Sequence, residues 1–522
     1  MKKFFLILSS IVIISASNSC RNSELNLTDP LGDKFESINT EDKLQQFLNG
    51  AYLNLGYVSA YGTELMVFGD VLSDHLYVTN AKAYSTTYNM NYNGITNDFN
   101  FYDSLYDAIM DCNLVINNTI VPDSDNVTRI KAEAKIIRAF AYFTLVNYYS
   151  PTPTSGVNQE YGVPLVLGNY DAILEQPRAT VAEVYDQIIA DLNDGVAGAS
   201  DIPQNPITQV SDHSMFSKTA AKLLLSRVYL TRRAPGDAEL ALQYATDIVN
   251  NSPSYGFNPI NALSGSGSAN VYWLYFAGTP ETTAENQPET IWELDLNQDN
   301  YSVPLNIGAN LSLPGLYNRL VTDRRALLFT KGFFDSFPHT DLPPIGVTPQ
   351  STSTDVRRGN NIGTTASTML LTTIQVPTTD PLPGVWTNKY PRLSSSGNFV
   401  RNIKVLRFAE AQLNRIEALY LTGQTGQAIT ELNAFAQSRG GSTYSTTDTG
   451  DALRDDILTE KGKEFYGEGQ RFLDLKRYGL PLIKDANCVM NCNVPGDSKL
   501  FVLPMGQNVL NANTNLTQYP GY

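Results

Sequence analysis

The stretch from Ser214 to Asn250 is the feature that most constrains the fold of this 522-residue chain, because it contains two helical patterns joined by a turn. In its first half, apolar side chains recur at steps of three and four residues, the period of a helix that buries one face. The pattern then breaks, since Pro235 has no amide donor and Gly236 frees the backbone. A second helical pattern follows from Asp237. Two helices joined by so short a turn must pack antiparallel.

This helical hairpin cannot bury both of its faces alone, so it predicts stacked neighbours. Large and small side chains recur in it close to the tetratricopeptide spacing, at Leu225, Ser226, Tyr229, Ala238, Leu242 and Ala245. The small residues let two helices approach closely, and the large ones fill the gap between them. An ordinary helical hairpin within a mixed domain is the alternative that this stretch alone leaves open.

Further helical patterns lie on both sides of a long irregular region. The predicted helices cover Thr40–Leu55, Phe101–Ile120, Asn126–Tyr149, a segment opened by a Thr180/Glu183 capping box, Ile403–Leu421, Gly426–Ser438, Ala452–Tyr466 and Arg471–Tyr478. The segment Gly69–Asn97 has no such period and is rich in tyrosine, which predicts a long surface loop. Residues 251–400 are dominated by Pro, Gly, Ser, Thr and Asn, and their short runs VYWLYF (271–276) and TIWELDL (290–296) predict a few strands.

The predicted organisation therefore has five parts. They are a signal segment at 1–19, a tether at 20–39, a first helical part at 40–250 that carries the aromatic loop 69–97, an irregular inserted lobe at 251–402, and a last helical part with the C-terminal tail at 403–522.

The N-terminus has the pattern of a targeting segment. Lys2 and Lys3 precede an apolar run of 11 residues, Phe4 to Ile14. That run is shorter than the ~20 residues needed to span a bilayer. Small residues then lead to Cys20, and this arrangement resembles a bacterial lipobox in which the cysteine becomes the acylated first residue. A plain secretory signal with an incidental cysteine is the alternative.

Charge and cysteine content exclude several classes of function. The net charge is −15, and Lys and Arg are scattered without a basic stripe, so we expect no nucleic-acid partner. Cys112 lies in a helical pattern and is expected to pack in the core. Cys488 and Cys492, in the run CVMNC, predict a local disulfide in an oxidising compartment, whereas zinc is disfavoured because there is no second Cys/His pair. We expect no metal and no cofactor.

No pattern typical of a catalytic site is found. The three histidines are isolated, and no G-x-S-x-G or H-E-x-x-H motif occurs. The acidic residues that could suggest a glycosidase pair are Glu460, Glu464, Glu468 and Asp474. They alternate with basic residues on short helices, which favours an ion-paired structural junction. The sequence therefore predicts a protein that is not an enzyme.

The aromatic residues outside the helical patterns are better candidates for function. Sugars stack their C–H faces on flat rings, and Tyr and Trp supply large contact areas at low entropy cost. The candidate ligand-binding residues are Tyr77, Tyr84, Tyr88, Tyr92, Trp273, Tyr275, Tyr301 and Trp386. Core packing or a protein interface is the competing explanation for each of them.

Several blocks of the sequence, in order along the chain, are similar to one known family. They are AEAKIIRAFAYFTLVNYY (132–149), YGVPL (161–165), RATVAEVYDQIIADL (178–192), KTAAKLLLSRVYL (218–230), LRFAEAQLNRIEALYLTG (406–423), EKGKEFYGEGQRFLDLKRYG (460–479) and NTNLTQYPGY (513–522). Together with the N-terminus they resemble the SusD/RagB family of Bacteroidetes outer-membrane lipoproteins.

The resemblance implies a mainly α fold, a right-handed tetratricopeptide-like array of about four helix pairs with the irregular lobe packed on one side. It also implies a surface-exposed protein with its lipid anchor in the outer membrane. Such a protein captures oligosaccharide or peptide and delivers it to a SusC-like TonB-dependent transporter. A surface glycan hydrolase on the same scaffold is the alternative function.

Overall fold

The computed structural model is mainly helical, as the sequence predicts. Cys20 and Tyr301 lie outside the residues that it describes. The described residues are 38–78, 84–169, 175–205, 211–263, 270–278, 284–296, 312–317, 327–346, 348–363, 370–373, 384–390, 402–485 and 488–522.

The helices, in chain order, are α1 (Glu41–Gly56), α2 (Glu64–Val71), α3 (Ser85–Tyr88), α4 (Phe101–Ile116), α5 (Asp125–Tyr149), α6 (Val181–Gly198), α7 (Lys218–Arg232), α8 (Asp237–Asn251), α9 (Val271–Ala277), α10 (Leu313–Tyr317), α11 (Lys331–Asp335), α12 (Phe408–Leu421), α13 (Thr425–Ser438), α14 (Asp451–Glu464), α15 (Arg471–Arg477) and α16 (Gln507–Ala512). The strands are β1 (Leu76–Val78), β2 (Thr290–Leu294), β3 (Leu327–Phe329), β4 (Thr340–Ile345), β5 (Thr348–Thr352), β6 (Leu371–Thr372), β7 (Trp386–Thr387), β8 (Ile403–Arg407), β9 (Leu482–Ile483) and β10 (Asn493–Val494).

The long helices pack as pairs that follow one another along the chain. Within the described ranges, α1 packs on α4, α5 on α6, α7 on α8 and α12 on α13, and successive pairs also contact each other. This is the stacked arrangement that the 214–250 hairpin predicts. Helix α5 lies between neighbours on both sides, and for that reason its second half, from Ile136 to Tyr149, is buried on every face. No helix in the part of the chain that the structure describes is long and apolar enough to cross a membrane.

Side chains that cap the helices set where they begin. Ser124 accepts a hydrogen bond from the amide of Val127 at 3.1 Å and starts α5. The predicted capping box is present, since Thr180 accepts from the amide of Glu183 at 3.2 Å and Glu183 accepts from the amide of Thr180 at 2.8 Å.

The strands form five two-stranded antiparallel sheets within the described residues: β1 with β3, β2 with β8, β4 with β5, β6 with β7 and β9 with β10. Strand β2 confirms the extended run predicted at 290–296. Three predictions about local structure are wrong. The run VYWLYF is a helix, α9, and residues 403–407 form a strand before α12. The predicted loop 69–97 begins inside helix α2, whose residues are all buried.

Buried ion pairs join the lobe to the last helices. Arg357 of the lobe pairs with Glu460 at 2.7 Å, and Arg407 pairs with Glu464 and Glu468, both at 2.9 Å. Although burial alone would raise the pKa of Glu464, the surrounding guanidinium groups, among them that of Arg439, hold it well below its usual range. The acidic block at 460–474 is therefore a structural junction, as its alternation with basic residues predicts.

Candidate functional site

Four of the aromatic residues proposed as sugar platforms are buried in the structure. Tyr88, Tyr92 and Tyr275 are each 4% exposed, and Trp386 is 3% exposed. Two of the hydroxyls serve the fold, since that of Tyr92 donates to the carbonyl of Leu500 and that of Tyr275 lies 2.9 Å from Thr290 Oγ1. Without an exposed ring face these four residues cannot stack on a sugar in this structure, and we do not carry them into the candidate site.

Two other candidates, Trp273 and Tyr84, are half-buried. Trp273, on α9, donates its indole N–H to the carbonyl of Asn388 at 3.0 Å and packs on a small apolar cluster of the lobe. Tyr84 packs edge-on against Phe68, with ring centroids 5.2 Å apart. The backbone of Tyr77 pairs in β1 with Leu328 of β3.

A cleft of about 390 Å³ lies instead where the start of α4 meets the C-terminal segment. Its size is typical of sites that bind small molecules. Its lining residues are Gly94, Ile95, Asn97, Phe99, Asn100, Tyr102, Asp103, Tyr149, Pro504, Gly506, Gln507, Asn508 and Val509. They combine aromatic rings with amides and one carboxylate, the groups that recognise the faces and hydroxyls of a sugar.

One wall of the cleft is a tight turn at residues 93–97. The side chain of Asn93 accepts from the amides of Ile95 and Thr96, at 2.8 and 2.9 Å, and its backbone amide donates to the carbonyl of Thr96 at 2.9 Å. Such side-chain bonds to the backbone two residues ahead replace those of a regular element. The turn therefore holds Ile95, which is 83% exposed, at the rim of the cleft.

The opposite wall comes from the C-terminal segment, which is tied to the same region by backbone hydrogen bonds. The amide of Gln507 donates to the carbonyl of Gly94 at 2.7 Å, and the amide of Leu503 donates to the carbonyl of Tyr148 at 2.8 Å. Gly94 is close-packed at this point, because a Cβ there would lie 3.1 Å from the carbonyl oxygen of Met505. The end of α5 thereby sets the width of the cleft.

A buried carboxyl holds one of the residues that line the cleft, Asn100. Glu64, at the start of α2, is 7% exposed and accepts from the backbone amide of Asn100 at 3.3 Å and from its side-chain Nδ2 at 3.1 Å. Burial raises the pKa of Glu64 to about 8, because it outweighs the effect of these two hydrogen bonds. Glu64 thus fixes the orientation of the Asn100 amide.

Three aromatic rings line the cleft and differ in exposure. Tyr149 and Phe99 are buried, at 2% and 8% exposed, whereas Tyr102 is half-buried. The Tyr102 ring packs on Tyr106 and Tyr149, at centroid distances of 4.7 and 5.3 Å. Burial raises the pKa of Tyr102 to about 12, so its phenol stays protonated at neutral pH. Of the three rings, Tyr102 is the one placed to stack on a ligand.

The residues of this cleft are not among those predicted from the sequence to bind ligand. Gly94, Ile95 and Asn97 belong to the predicted aromatic loop, but the loop contributes its turn rather than its tyrosines. Tyr102 was included in a helical pattern, where a core position was the natural explanation. The polar run from Asn97 to Asn100 just before that helix was the available signal.

The acidic residues weighed for hydrolysis do not line the cleft. Glu417, Asp474 and Arg477 instead form a separate buried group, in which Arg477 pairs with both carboxylates. Glu468 pairs with Lys389 and Arg407, and Glu460 accepts from Tyr444 at 2.7 Å. Each of these carboxylates is neutralised within the fold. Among the described residues, no group of three or more His, Cys, Asp or Glu is arranged to hold a metal ion.

The cysteines occupy two different environments. Cys488 and Cys492 form a disulfide, with Cα atoms 5.6 Å apart, in the loop between β9 and β10. Cys112 is a free, buried thiol on α4, consistent with its predicted place in the core.

Comparisons with known proteins relate most of the chain to one family. Residues 25–230 match the family model described as "Starch-binding associating with outer membrane", and residues 346–522 match that of the SusD family. SusD-like protein P38 of Formosa agariphila is 23% identical over 542 residues, which cover 91% of this chain and 92% of that protein.

Two further relatives match over shorter segments. SusD-like protein P2 of Formosa agariphila is 28% identical over 49% of this chain, and a SusD-like protein of Bacteroides ovatus is 30% identical over 29% of it. The matched segments span 48% and 27% of the length of these two relatives.

Solved structures show the same fold. A putative sugar binding protein from Bacteroides vulgatus superimposes with a TM-score of 0.73 at 24% identity, covering 93% of this chain and 100% of that one. Surface glycan-binding protein A from Bacteroides uniformis superimposes with a TM-score of 0.70 at 20% identity, covering 92% of this chain and 99% of that one. The family models, the SusD-like relatives and the paired helices agree, and the chain belongs to the SusD/RagB family.

Proposed function

We propose that this protein captures oligosaccharide at the cell surface in the cleft between residues 94–103 and 504–509. It then delivers the oligosaccharide to a SusC-like TonB-dependent transporter. The observation that carries the proposal is the composition of the cleft, in which the half-buried ring of Tyr102 lies among uncharged amides and one carboxylate. A sugar ring stacks its C–H face on such an aromatic surface while its hydroxyls bond to the amides.

Oligosaccharide is favoured over peptide as the cargo for two reasons. The matched family model is described as starch-binding, and two structures with the same fold are named for binding sugar or glycan. The cleft also offers four amide side chains and one carboxylate to the hydroxyls of a sugar. Peptide cargo would be revealed by binding of a peptide library with no binding of glycans.

Binding without chemistry is the proposed activity. A glycoside hydrolase needs two carboxyl groups across the scissile bond, about 5 to 9.5 Å apart depending on the stereochemistry. Asp103 is the carboxylate among the described residues that line the cleft. The acid-rich block at 460–474 is committed to ion pairs elsewhere. We therefore expect oligosaccharides to be recovered intact after incubation with the protein, and their cleavage would support the hydrolase alternative.

Anchoring is proposed to occur through Cys20, which would be acylated after removal of residues 1–19. Changing Cys20 to Ala should release the protein from the membrane fraction or leave its precursor uncleaved. If a mature-length Cys20→Ala protein still partitions with membranes, the lipid anchor is not at this residue. Copurification of the wild-type protein with a large TonB-dependent barrel from outer membranes would support the transporter partner.

The binding site itself is tested by substitutions at Tyr102. Tyr102→Ala removes the half-buried ring and should weaken oligosaccharide binding about tenfold, or about 1.4 kcal/mol. Tyr102→Phe keeps the ring and should retain most of the affinity. Trp273→Ala serves as the comparison, because this residue was proposed from sequence but lies outside the cleft. Loss of binding in Trp273→Ala with full binding in Tyr102→Ala, measured by titration calorimetry, would move the site to the lobe.

A further inference from the structure

Among the described residues that line the cleft, the charged side chain is a carboxylate. Asp103 lines the cleft, and no Lys, Arg or His is found among the described residues that line it. Asp107 lies one turn further along α4. Partial burial raises the pKa of both groups, and for Asp107 the nearby charge of Asp103 adds to that rise. An anion that enters the cleft would therefore meet the carboxylate of Asp103, with that of Asp107 nearby. It would meet no cationic side chain among the described residues that line the cleft.

The cation closest to the cleft's aromatic wall is already engaged. Arg178 donates through Nε to the carbonyl of Thr517 at 2.9 Å, and through Nη1 to the carbonyls of Gly162 and Tyr149 at 2.7 and 3.2 Å. Its remaining nitrogen, Nη2, is buried away from solvent. The guanidinium therefore holds backbone segments together and offers no accessible donor to a bound anion.

Two of the amides that line the cleft, Asn100 and Gln507, keep a free acceptor oxygen. The Nδ2 group of Asn100 donates to Glu64 at 3.1 Å and to the carbonyl of Asp98 at 3.3 Å, which leaves its Oδ1 for a ligand. The Nε2 group of Gln507 donates to Asn511 at 2.9 Å, which leaves its Oε1. A sugar hydroxyl can donate to such oxygens, whereas a carboxylate or sulfate has acceptors only.

We infer that the cleft selects uncharged oligosaccharides and discriminates against glycans that carry carboxylate or sulfate groups. This inference rests on the proposed function, since it describes the specificity of the same cleft. An anionic substituent would add repulsion from Asp103 and would leave facing acceptor oxygens without a donor. Both effects weaken binding without affecting a neutral sugar of the same backbone.

The test uses matched pairs of glycans and the full-length protein. Neutral gluco-, manno- and galacto-oligosaccharides are compared with the same oligosaccharides oxidised at C6 to the carboxylate. For each backbone that binds, we expect the oxidised form to bind about tenfold more weakly, or about 1.4 kcal/mol. Raising the salt concentration to about 1 M, where the Debye length is ~3 Å, should reduce this ratio in the wild type.

Two variants with the same change of charge assign the effect to the cleft. Asp103→Asn should lower the ratio of the two dissociation constants towards one. Asp123→Asn should leave the ratio unchanged, because Asp123 precedes the far end of α5, roughly 36 Å from Tyr149 at 1.5 Å per residue. The salt titration of the wild-type protein gives a readout that does not depend on the folding of either variant.

The outcomes separate this inference from the proposed function. If neutral glycans bind and Tyr102→Ala weakens them, but the oxidised forms bind as tightly or more tightly, the charge selection is refuted and the cleft stands. An unchanged ratio in Asp103→Asn also refutes it. If no glycan binds, or binding is insensitive to Tyr102→Ala, the proposed function fails and the inference fails with it.

Discussion

Replacing Glu64 with glutamine tests how Asn100, which lines the cleft, is held in place. Glu64 is 7% exposed, and burial raises its pKa from 4.5 to about 8. Between these two values the folded protein keeps a proton that the unfolded chain releases. The contribution of Glu64 to stability therefore falls as the pH rises through this window, and it levels off above pH 8.

The size of this effect follows from the two pKa values. Each unit of difference corresponds to about 1.36 kcal/mol, so between pH 5.5 and pH 8 the wild type should lose about 3 kcal/mol through Glu64. Glutamine has nearly the same shape, offers an acceptor to Asn100 and does not ionise. The free energy of unfolding of Glu64→Gln, relative to wild type, should therefore rise by about 3 kcal/mol over the same interval.

Urea denaturation of the full-length protein at several pH values measures this difference directly. Glu160→Gln is the control, because the Glu160 side chain is exposed and its replacement should leave the pH profile unchanged. The difference between wild type and variant is taken at each pH, so the contributions of other titrating groups cancel. One such group is the buried Lys476, whose pKa burial lowers to about 7. Parallel pH profiles for wild type and Glu64→Gln would show that Glu64 is ionised in the folded protein and would refute the argument.

Three further predictions concern the scaffold. Glu464→Gln leaves buried guanidinium groups without their shared carboxylate and should lower the free energy of unfolding, measured by urea denaturation, by about 3–5 kcal/mol. Asp451→Asn, in an exposed pair with Arg454, should lower it by under about 1 kcal/mol. Equal losses in the two variants would contradict the role of the junction. Gly69→Ala should prevent folding or lower the melting temperature strongly, because its Cβ would lie 1.7 Å from the carbonyl oxygen of Gly469. Gly426→Ala is the control, since a Cβ at this position of α13 meets open space, and it should stabilise the protein by up to about 1 kcal/mol. The double Ser variant of Cys488 and Cys492 should lower stability by no more than about 2 kcal/mol, since the disulfide closes a short loop, and two free thiols in the native protein would exclude the bond.

Most of the scaffold could be predicted because its helices carry an apolar period. The predicted helix Asn126–Tyr149 differs by one residue from the observed Asp125–Tyr149, and the 214–250 hairpin yields α7 and α8. Helix α2 escaped this approach for a physical reason. All of its residues are buried, so its apolar side chains follow no period of 3.6 and resemble an irregular segment.

The error at VYWLYF has a different cause. A run of six apolar residues fits a buried strand and a buried helix equally well, and periodicity cannot distinguish them. The residue before the run decides in favour of a helix. The side chain of Asn270 accepts from the amide of Trp273 at 3.1 Å and caps helix α9. In α9 the rings of Tyr272 and Tyr275 turn into the lobe's core rather than alternating between two faces.

The cleft could not be predicted from the sequence because its two walls are far apart in the chain. Residues 94–103 and 504–509 meet through the hydrogen bond between Gln507 and Gly94 and through the packing of both segments on the end of α5. Neither segment has a motif that indicates the other. The family resemblance implied a ligand-binding role, but it did not indicate which residues contact the ligand.

The tyrosine content has a structural explanation that also accounts for the rigidity of the cleft. Irregular segments leave backbone carbonyls that need donors, and a tyrosine can bury its ring against a helix while its hydroxyl reaches one of them. The hydroxyls of Tyr106 and Tyr142 donate to the carbonyls of Pro164 and Val166 at 2.8 and 2.9 Å, and that of Tyr92 donates to Leu500. These tyrosines fasten loops to the helical scaffold, and this is why Tyr92 is buried although it was predicted to bind ligand. Because the loop before α4 is held in this way, the half-buried ring of Tyr102 lies beside a surface already fixed before the ligand arrives, which lowers the entropic cost of binding.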